Sequence, residues 1–113
     1  MPAPEDRIVV NLQRAAYGEY DLEGPIQPEM RLLPISYDRE TGHGCYAMRM
    51  APGAVTIAHD HAGFEEFLML EGDLVDSDGT VFGPGDFVSY RPGTHHDSRT
   101  EGGCLILVVE RPG

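Results

Sequence analysis

The chain alternates between short apolar segments and clusters of Gly, Pro and Asp that favour turns. Segments of about strand length lie between these clusters at residues 8–12, 31–36, 45–50, 55–58, 66–70, 73–77, 80–82, 87–90 and 104–109. Regular turn signals between runs this short are typical of an antiparallel sandwich or barrel. No window has the period of an amphipathic helix, and residues 12–20 form at most a turn or two. The pattern predicts an all-β protein.

The turn signals also predict local features. Asp78-Gly79 separates two apolar segments and predicts a two-residue hairpin turn of type I′, in which both central positions need positive φ. Residues 1 to about 30 are less patterned, and we expect an arm and edge strands there. Because the chain of 113 residues has no linker or internal repeat, we expect residues 1–113 to form one domain with its own core.

Composition narrows the classes of partner. The formal net charge is −11 and the pI is near 4.6, so the field of the molecule repels nucleic acid and anionic membrane surfaces. No apolar stretch approaches the roughly 18 residues that span a bilayer, and the start MPAPEDR lacks the features of a signal peptide. Without an export signal, Cys45 and Cys104 are expected to be reduced, buried thiols. These features favour a cytoplasmic protein.

The stretch HDHAGFEEFLMLEG, at residues 59–72, carries the candidate chemistry. On an extended strand, residues i and i+2 share a face, so His59 and His61 point the same way. In the next strand, Glu65 shares a face with Phe67 and Met69. Two imidazoles and a carboxylate suit Zn, Fe, Mn, Ni or Cu. Taken alone, however, a His-x-His pair also occurs at ordinary surfaces, and two adjacent glutamates also end solvated strands.

Two glycine-framed motifs resemble the cupin superfamily. PGAVTIAHDHAGFEEFLMLEGDL matches the first cupin motif, G-x5-H-x-H-x3-4-E-x6-G, at every fixed position. GPGDFVSYRPGTHH resembles the second motif, G-x5-P-x-G-x2-H-x3-N, with Arg91 at the proline position and Thr100 at the closing asparagine. Together the motifs cover residues 53–100. The run from His59 to Cys104 is most similar to ChrR-type cupins, a group that includes an anti-sigma zinc domain and diketone-cleaving oxygenases.

The resemblance implies a small jelly-roll barrel with one metal site. It assigns His59, His61, Glu65 and His96 as the ligands of a divalent transition metal, with Fe(II) or Zn favoured and Mn, Ni or Cu acceptable. Glu66 then faces away from the metal.

The same resemblance places a small-molecule pocket beside the metal. Phe67 and Met69 are expected to form its dry wall, and Glu65 is a candidate catalytic base or labile ligand. Arg49, on a neighbouring strand, is a candidate anchor for an anionic substrate, although a charged residue at the rim is the alternative interpretation. His95 is expected at the pocket mouth or on the surface.

Two classes of function remain open. One is a mononuclear metal enzyme, of the dioxygenase type, that cleaves a small diketone, enol or phenolic substrate. The other is a non-catalytic, zinc-binding sensory or regulatory module of ChrR type. Some apolar side chains lie on the outward face of the predicted strands, and the arm Ile8-Val9-Val10 is apolar as well. Since these groups need cover, we also expect a homodimer.

Overall fold

The structure is a computed structural model that describes residues 1–57, 59–60 and 62–113, with the backbone alone at residues 59 and 60. The strands are β1 (Gly18–Glu19), β2 (Met30–Pro34), β3 (Gly44–Met50), β4 (His59–Asp60), β5 (Phe64–Gly72), β6 (Leu74–Asp76), β7 (Val81–Phe82), β8 (Phe87–Tyr90), β9 (His95–His96), β10 (Ser98–Arg99) and β11 (Cys104–Arg111). A 3₁₀ helix, Pro4–Asp6, precedes them. The all-β prediction is confirmed. In the described part of the chain, no helix is long and apolar enough to cross a membrane.

The strands form three sheets, of which the largest has six strands in the order β1-β2-β3-β11-β5-β8. Strand β11 carries the apolar run CLILVV and lies between β3 and β5, antiparallel to both. A sheet with the order β10-β6-β7 and the pair β4-β9 complete the fold. Side chains from all three sheets line one internal cavity. The apolar core therefore lies between the large sheet and the two small ones.

Strand β5 shows the alternation that its sequence predicts. Glu65, Phe67 and Met69 are buried, whereas the intervening residues are only half-buried. Near the end of β5 the ladder contains a bulge, because Ile106 pairs with Met69 and Leu105 pairs with Glu71. The bulge changes the phase of the pleat after the inward-facing residues, so it leaves their orientation intact.

The hairpin at Asp78-Gly79 forms, but its turn is not of type I′. Only glycines among the described residues have positive φ, so Asp78 cannot occupy a position of that turn, while Gly79 has φ +89°. The Gly79 amide donates to the Asp76 carbonyl, and the Asp76 amide donates to the Thr80 carbonyl. This is a three-residue loop in which the last residue is left-handed, an arrangement in which only one position needs positive φ.

Two predicted strands are also corrected. Residues 8–12 are not a strand, and Ile8 and Val9 are 65% and 85% exposed, because no sheet edge pairs with them in the described chain. In segment 55–58, Val55 makes an isolated bridge to Arg99, and Ala58 lies outside the described residues. The two-residue strands β4, β9 and β10 were not predicted, since two residues carry too little pattern to detect. Strand β1 lies at the edge of the large sheet, in the segment where edge strands were expected.

Candidate metal site

The candidate site lies in the internal cavity, where the inward faces of β3, β5 and β11 meet residues of the smaller sheets. The cavity has a volume of about 40 Å³. Its apolar wall contains Met30, Met48, Met50, Phe67, Leu74, Ile106 and Val108, and its polar wall contains Tyr20, Glu23, Tyr46, Thr56, Glu65, Tyr90, His96 and Ser98, with Ile57 at the rim. The cavity thus joins a dry surface to a cluster of polar groups.

Glu65 and His96 face each other on the polar wall. Each is only 8% exposed, and His96 Nε2 lies 3.4 Å from Glu65 Oε1. The alternation of β5 turns Glu65 inward, and His96 is the inward residue of β9, whereas its neighbour His95 is exposed. Two of the four ligands expected from the sequence are therefore adjacent.

The other two expected ligands can be located only in part. The backbone of His59 pairs with that of His96 in the β4–β9 ladder, which brings the two histidine-bearing segments side by side. The His59 side chain and all of His61 lie outside the described residues. Among the described side chains, no group of three or more His, Cys, Asp or Glu forms a metal-binding cluster.

The donor pair nevertheless fits a transition metal. Metal–ligand bonds of about 2.1 Å at tetrahedral or octahedral angles separate two donor atoms by roughly 3–3.5 Å. The Glu65–His96 distance of 3.4 Å lies within that range. An imidazole nitrogen beside a carboxylate oxygen is a donor set that Zn and non-haem Fe(II) both accept. The residues present therefore suit the group that the sequence predicts.

Tyr90 and Asp76 form a hydrogen-bonded pair that contacts the His96 ring. The Tyr90 ring stacks on the His96 ring with centroids 4.0 Å apart, and the Tyr90 hydroxyl donates to Asp76 Oδ2 at 2.5 Å. Asp76 Oδ1 lies 3.9 Å from His96 Nδ1. Burial, followed by the hydrogen bond to Asp76, raises the pKa of Tyr90, so its hydroxyl stays protonated and remains a donor at neutral pH. Stacking and the nearby carboxylate together restrict the orientation of the His96 ring.

Two further tyrosines place hydroxyl groups on the cavity wall. Tyr20 and Tyr46 are both buried, and the Tyr46 hydroxyl donates to Glu110 Oε1 at 3.4 Å. Burial is the main cause that raises the pKa of each tyrosine, and the negative charge of Glu65 raises both further. Both hydroxyls are therefore neutral hydrogen-bonding groups at neutral pH.

The residues expected to contact substrate are placed differently from one another. Phe67 lines the cavity, where its ring packs edge-on against Phe82 with centroids 5.8 Å apart. Met69 is 1% exposed in the core and is not among the described residues that line the cavity. The inward face of β5 is closed by core packing at that point, so the structure removes Met69 from the expected substrate wall.

The prediction for Arg49 as a cavity anchor is corrected. Its strand neighbours Met48 and Met50 line the cavity, so the pleat points Arg49 to the opposite face of the sheet. There its guanidinium lies 3.6 Å from the Glu71 carboxylate and 5.6 Å from the centre of the Tyr17 ring. Arg49 lines a separate, outer depression on that face, so it is neither an anchor inside the cavity nor a residue at its rim.

Sequence reasoning missed several polar residues of the site. Tyr20 and Glu23 come from the weakly patterned segment before β2, and Asp76 sits at a turn, where carboxylates are common for local reasons. For Tyr90, the inward phase of β8 was a usable signal, because β8 pairs with β5 and places Tyr90 opposite Glu65. The other three residues had no such signal.

The family of the chain follows from a match along nearly its whole length. The model of the ChrR cupin-like domain matches residues 6–112. The chain belongs to the ChrR cupin-like domain family. Its fold is accordingly the cupin jelly roll, as the two motifs predict. No curated protein sequence matches this ChrR cupin-like domain significantly.

Solved structures support the same fold. An acetylacetone dioxygenase from Acinetobacter johnsonii aligns with a TM-score of 0.71 at 13% identity, over 97% of this domain and 76% of that chain. The complex of Rhodobacter sphaeroides SigE with the anti-sigma ChrR gives a TM-score of 0.65 at 21% identity, over 89% of this domain and 51% of that chain. A cupin-like protein of unknown function from Ralstonia eutropha aligns with a TM-score of 0.65 at 19% identity, over 73% of this domain and 59% of that chain.

These similarities to solved structures establish the fold alone. At such identities the architecture is shared, while side chains that decide chemistry can differ. The domain also spans only about half to three fifths of the Rhodobacter and Ralstonia chains that it matches. What the named proteins catalyse or bind therefore enters only as support for a proposal.

Proposed function

We propose that this ChrR cupin-like domain binds one divalent transition metal through His59, His61, Glu65 and His96, and that it is a small mononuclear metal enzyme. The observation that carries the proposal is the 3.4 Å approach of Glu65 Oε1 and His96 Nε2 on the wall of a buried cavity. The pairing of β4 with β9 supports it, because that ladder aligns the segment of His59 and His61 with His96. Fe(II) or Zn suits this donor set best, and Mn, Ni and Cu also accept it.

The proposed reaction is dioxygenase-type cleavage of a small diketone, enol or phenolic compound. Bound Fe(II) would supply dioxygen chemistry and a positive charge that orients a chelating substrate. Glu65 would hold the metal and accept a proton from the substrate, since it is the described carboxylate closest to His96 Nε2. Phe67 and the cavity methionines would exclude water around the reacting groups. The fold shared with the Acinetobacter dioxygenase favours this class.

A second candidate is a zinc-binding sensory module. It is favoured by the family match and by the fold shared with the SigE–ChrR complex, in which a cupin-containing protein has a protein partner. The same ligands would then hold zinc for structure or regulation, and the cavity would bind a signal molecule. Metal identity and catalysis separate the two candidates.

We further propose that the domain forms a homodimer. Large apolar side chains are exposed on the arm and on the edge strand β8, at Ile8, Val9 and Phe87. A second copy is a partner that would cover them, since large exposed apolar side chains are often buried in an interface. Light scattering coupled to size-exclusion chromatography should give twice the chain mass of 12.4 kDa. A monomeric mass would remove this proposal.

Elemental analysis and oxygen uptake test the enzymatic proposal together. The protein is purified, its metal content is measured before and after anaerobic Fe(II) loading, and oxygen consumption is followed with a panel of diketones and catechols. About one iron per chain with substrate-dependent uptake is expected, because four ligands leave one or two positions open. Tightly held zinc and no uptake after iron loading would favour the sensory module. Absence of metal under every condition would contradict both candidates.

A further inference from the structure

We propose that the cavity selects a ligand that carries no negative charge when it enters, and that it discriminates against carboxylates and phosphate esters. This inference rests on the proposed function, and it specifies the chemical class that the same site takes. It is carried by the distribution of charged groups around the cavity.

The first observation is the position of every strong cation in the chain. The protein has eight basic residues, all arginine, and all lie in the described part of the structure. None of them lines the cavity. Several are engaged on the outer surface: Arg39 with Asp21, Arg49 with Glu71, Arg99 with Glu101 and Arg111 with Glu66. Sites that recognise carboxylate or phosphate rely on such guanidinium or ammonium donors.

The second observation is the sign of the charge that the cavity does contain. Glu23 and Glu65 both line it, and their carboxylates place negative charge on its wall. A divalent ion held by Glu65 leaves a formal charge of +1, and Glu23 on the same wall offsets it. An anion that enters this partly dry cavity would therefore lose its hydration and gain little in return, because Glu23 offsets the remaining charge of the metal site and no arginine lies on the wall.

The third observation is what the cavity offers instead of charge. Tyr46, Thr56 and Ser98 supply hydroxyl groups, and the Thr56 and Ser98 hydroxyls lie 3.0 Å apart. Opposite them lie flexible methionine side chains, which adapt to the shape of an apolar group. A small cavity with neutral hydrogen-bonding groups on one wall and thioethers on the other suits compact dicarbonyls and phenols.

Matched pairs of ligands test the inference directly. Catechol is compared with 3,4-dihydroxybenzoate, and 2,4-pentanedione with acetoacetate, by calorimetric titration of the metal-free and metal-loaded protein. Metal content is measured before and after each titration, so that removal of metal by the ligand is detected. The neutral member should bind at least about tenfold more tightly, a difference of about 1.4 kcal/mol.

A rim substitution provides a gain of function with a matched control. Ile57 lines the cavity at its rim, and Val55, two residues earlier, is half-exposed but does not line it. Ile57→Arg should reduce or reverse the preference for the neutral ligand, because it adds a guanidinium group, which the described lining of the cavity lacks. Val55→Arg adds the same charge outside the cavity and should leave the preference unchanged.

The outcomes separate this inference from the function on which it rests. Failure to load metal would contradict the proposed metal site, whatever the ligands do. Normal metal loading with equal or tighter binding of the anionic member would overturn the inference and leave the metal site standing. Failure of both members to bind would overturn it as well, since the cavity would then not take this class of ligand.

Discussion

Tyr90 illustrates how one side chain serves both the fold and the candidate site. Its ring stacks on His96, and its hydroxyl donates to Asp76 at 2.5 Å. The residue thus joins β8, β6 and β9 around the imidazole. Because the pKa of Tyr90 is raised, chiefly by burial, this hydrogen bond persists through neutral and mildly alkaline pH.

Tyr90→Phe should lower the free energy of unfolding by about 1–3 kcal/mol, because it keeps the stacked ring but removes a donor from a largely buried carboxylate. Urea denaturation followed by circular dichroism measures this change. The control is Ser89→Ala, which removes a hydrogen bond to Glu66 on the exposed face of the same strand and should change stability by less than about 0.5 kcal/mol. Equal effects of the two substitutions would contradict the role of Tyr90.

Asp73 holds the loop that leads into β11. Its two carboxylate oxygens accept hydrogen bonds from the Glu101 amide at 2.8 Å and the Gly102 amide at 2.7 Å. Those backbone donors lower the pKa of Asp73, the Glu101 amide most strongly. Since the folded-state pKa is depressed, the stabilisation is complete above the unfolded value of about 3.9 and is lost as the pH falls through the folded pKa.

Asp73→Ala should therefore cost about 1–2 kcal/mol of unfolding free energy at pH 7. The difference from wild type should shrink as the pH falls below about 3.9. Denaturant titrations at several pH values measure both effects. Asp21→Ala, which removes an exposed ion pair with Arg39, should cost less than about 1 kcal/mol. A difference for Asp73→Ala that stays constant with pH would contradict the ionic character of this loop contact.

At the scale of strands, the close approach of β5 to the start of β11 requires glycine at the last position of the first motif, Gly72. Gly72 has φ +80°, and a Cβ there would lie 1.9 Å from the Gly103 carbonyl oxygen. Both backbone conformation and space therefore require glycine. At Gly79, in the β6–β7 hairpin, φ is also positive, but a Cβ would meet no atom within 4 Å.

Gly72→Ala should destabilise the protein by about 3 kcal/mol or more, because steric overlap adds to the cost of the left-handed backbone. Gly79→Ala carries the conformational cost alone, about 1–2 kcal/mol. Thermal and urea denaturation of the two variants separate the contributions. A similar loss in both would show that close packing of β5 against Gly103 is not the controlling feature.

Much of this strand arrangement could be predicted, and the failures have physical causes. The alternation in β5 predicted the inward face of Glu65 and Phe67 because one side of the sheet is buried. Residues 8–12 have strand-like composition but no pairing edge, and pairing is a long-range property that local sequence does not encode. Arg49 was misplaced because strand phase depends on which of two faces encloses the cavity. Tyr20 and Glu23 reach the cavity from a segment without any period.

In the whole molecule, the positive side chains lie away from the cavity, whereas negative side chains line it. All arginines lie off the cavity, and the described carboxylates Glu23 and Glu65 line it. The net charge of −11 predicts repulsion of nucleic acid. By the same reasoning, the carboxylates that line the cavity are expected to disfavour anionic ligands. The composition could not predict this separation, because it depends on where each strand turns its faces.

The central claim is that the metal site includes Glu65, and the adjacent glutamates test it most directly. Glu65 faces His96 in the cavity, whereas Glu66 binds Arg111 at 2.8 Å and Ser89 at 2.8 Å on the other face of β5. The measurement is the dissociation constant for Zn, by chelator competition, of wild type, Glu65→Gln and Glu66→Gln. We expect Glu65→Gln to weaken binding by at least about tenfold, since even residues behind the ligands contribute that much, and Glu66→Gln to match wild type within about twofold. Equal weakening in both variants, or wild-type affinity in Glu65→Gln, would contradict the account.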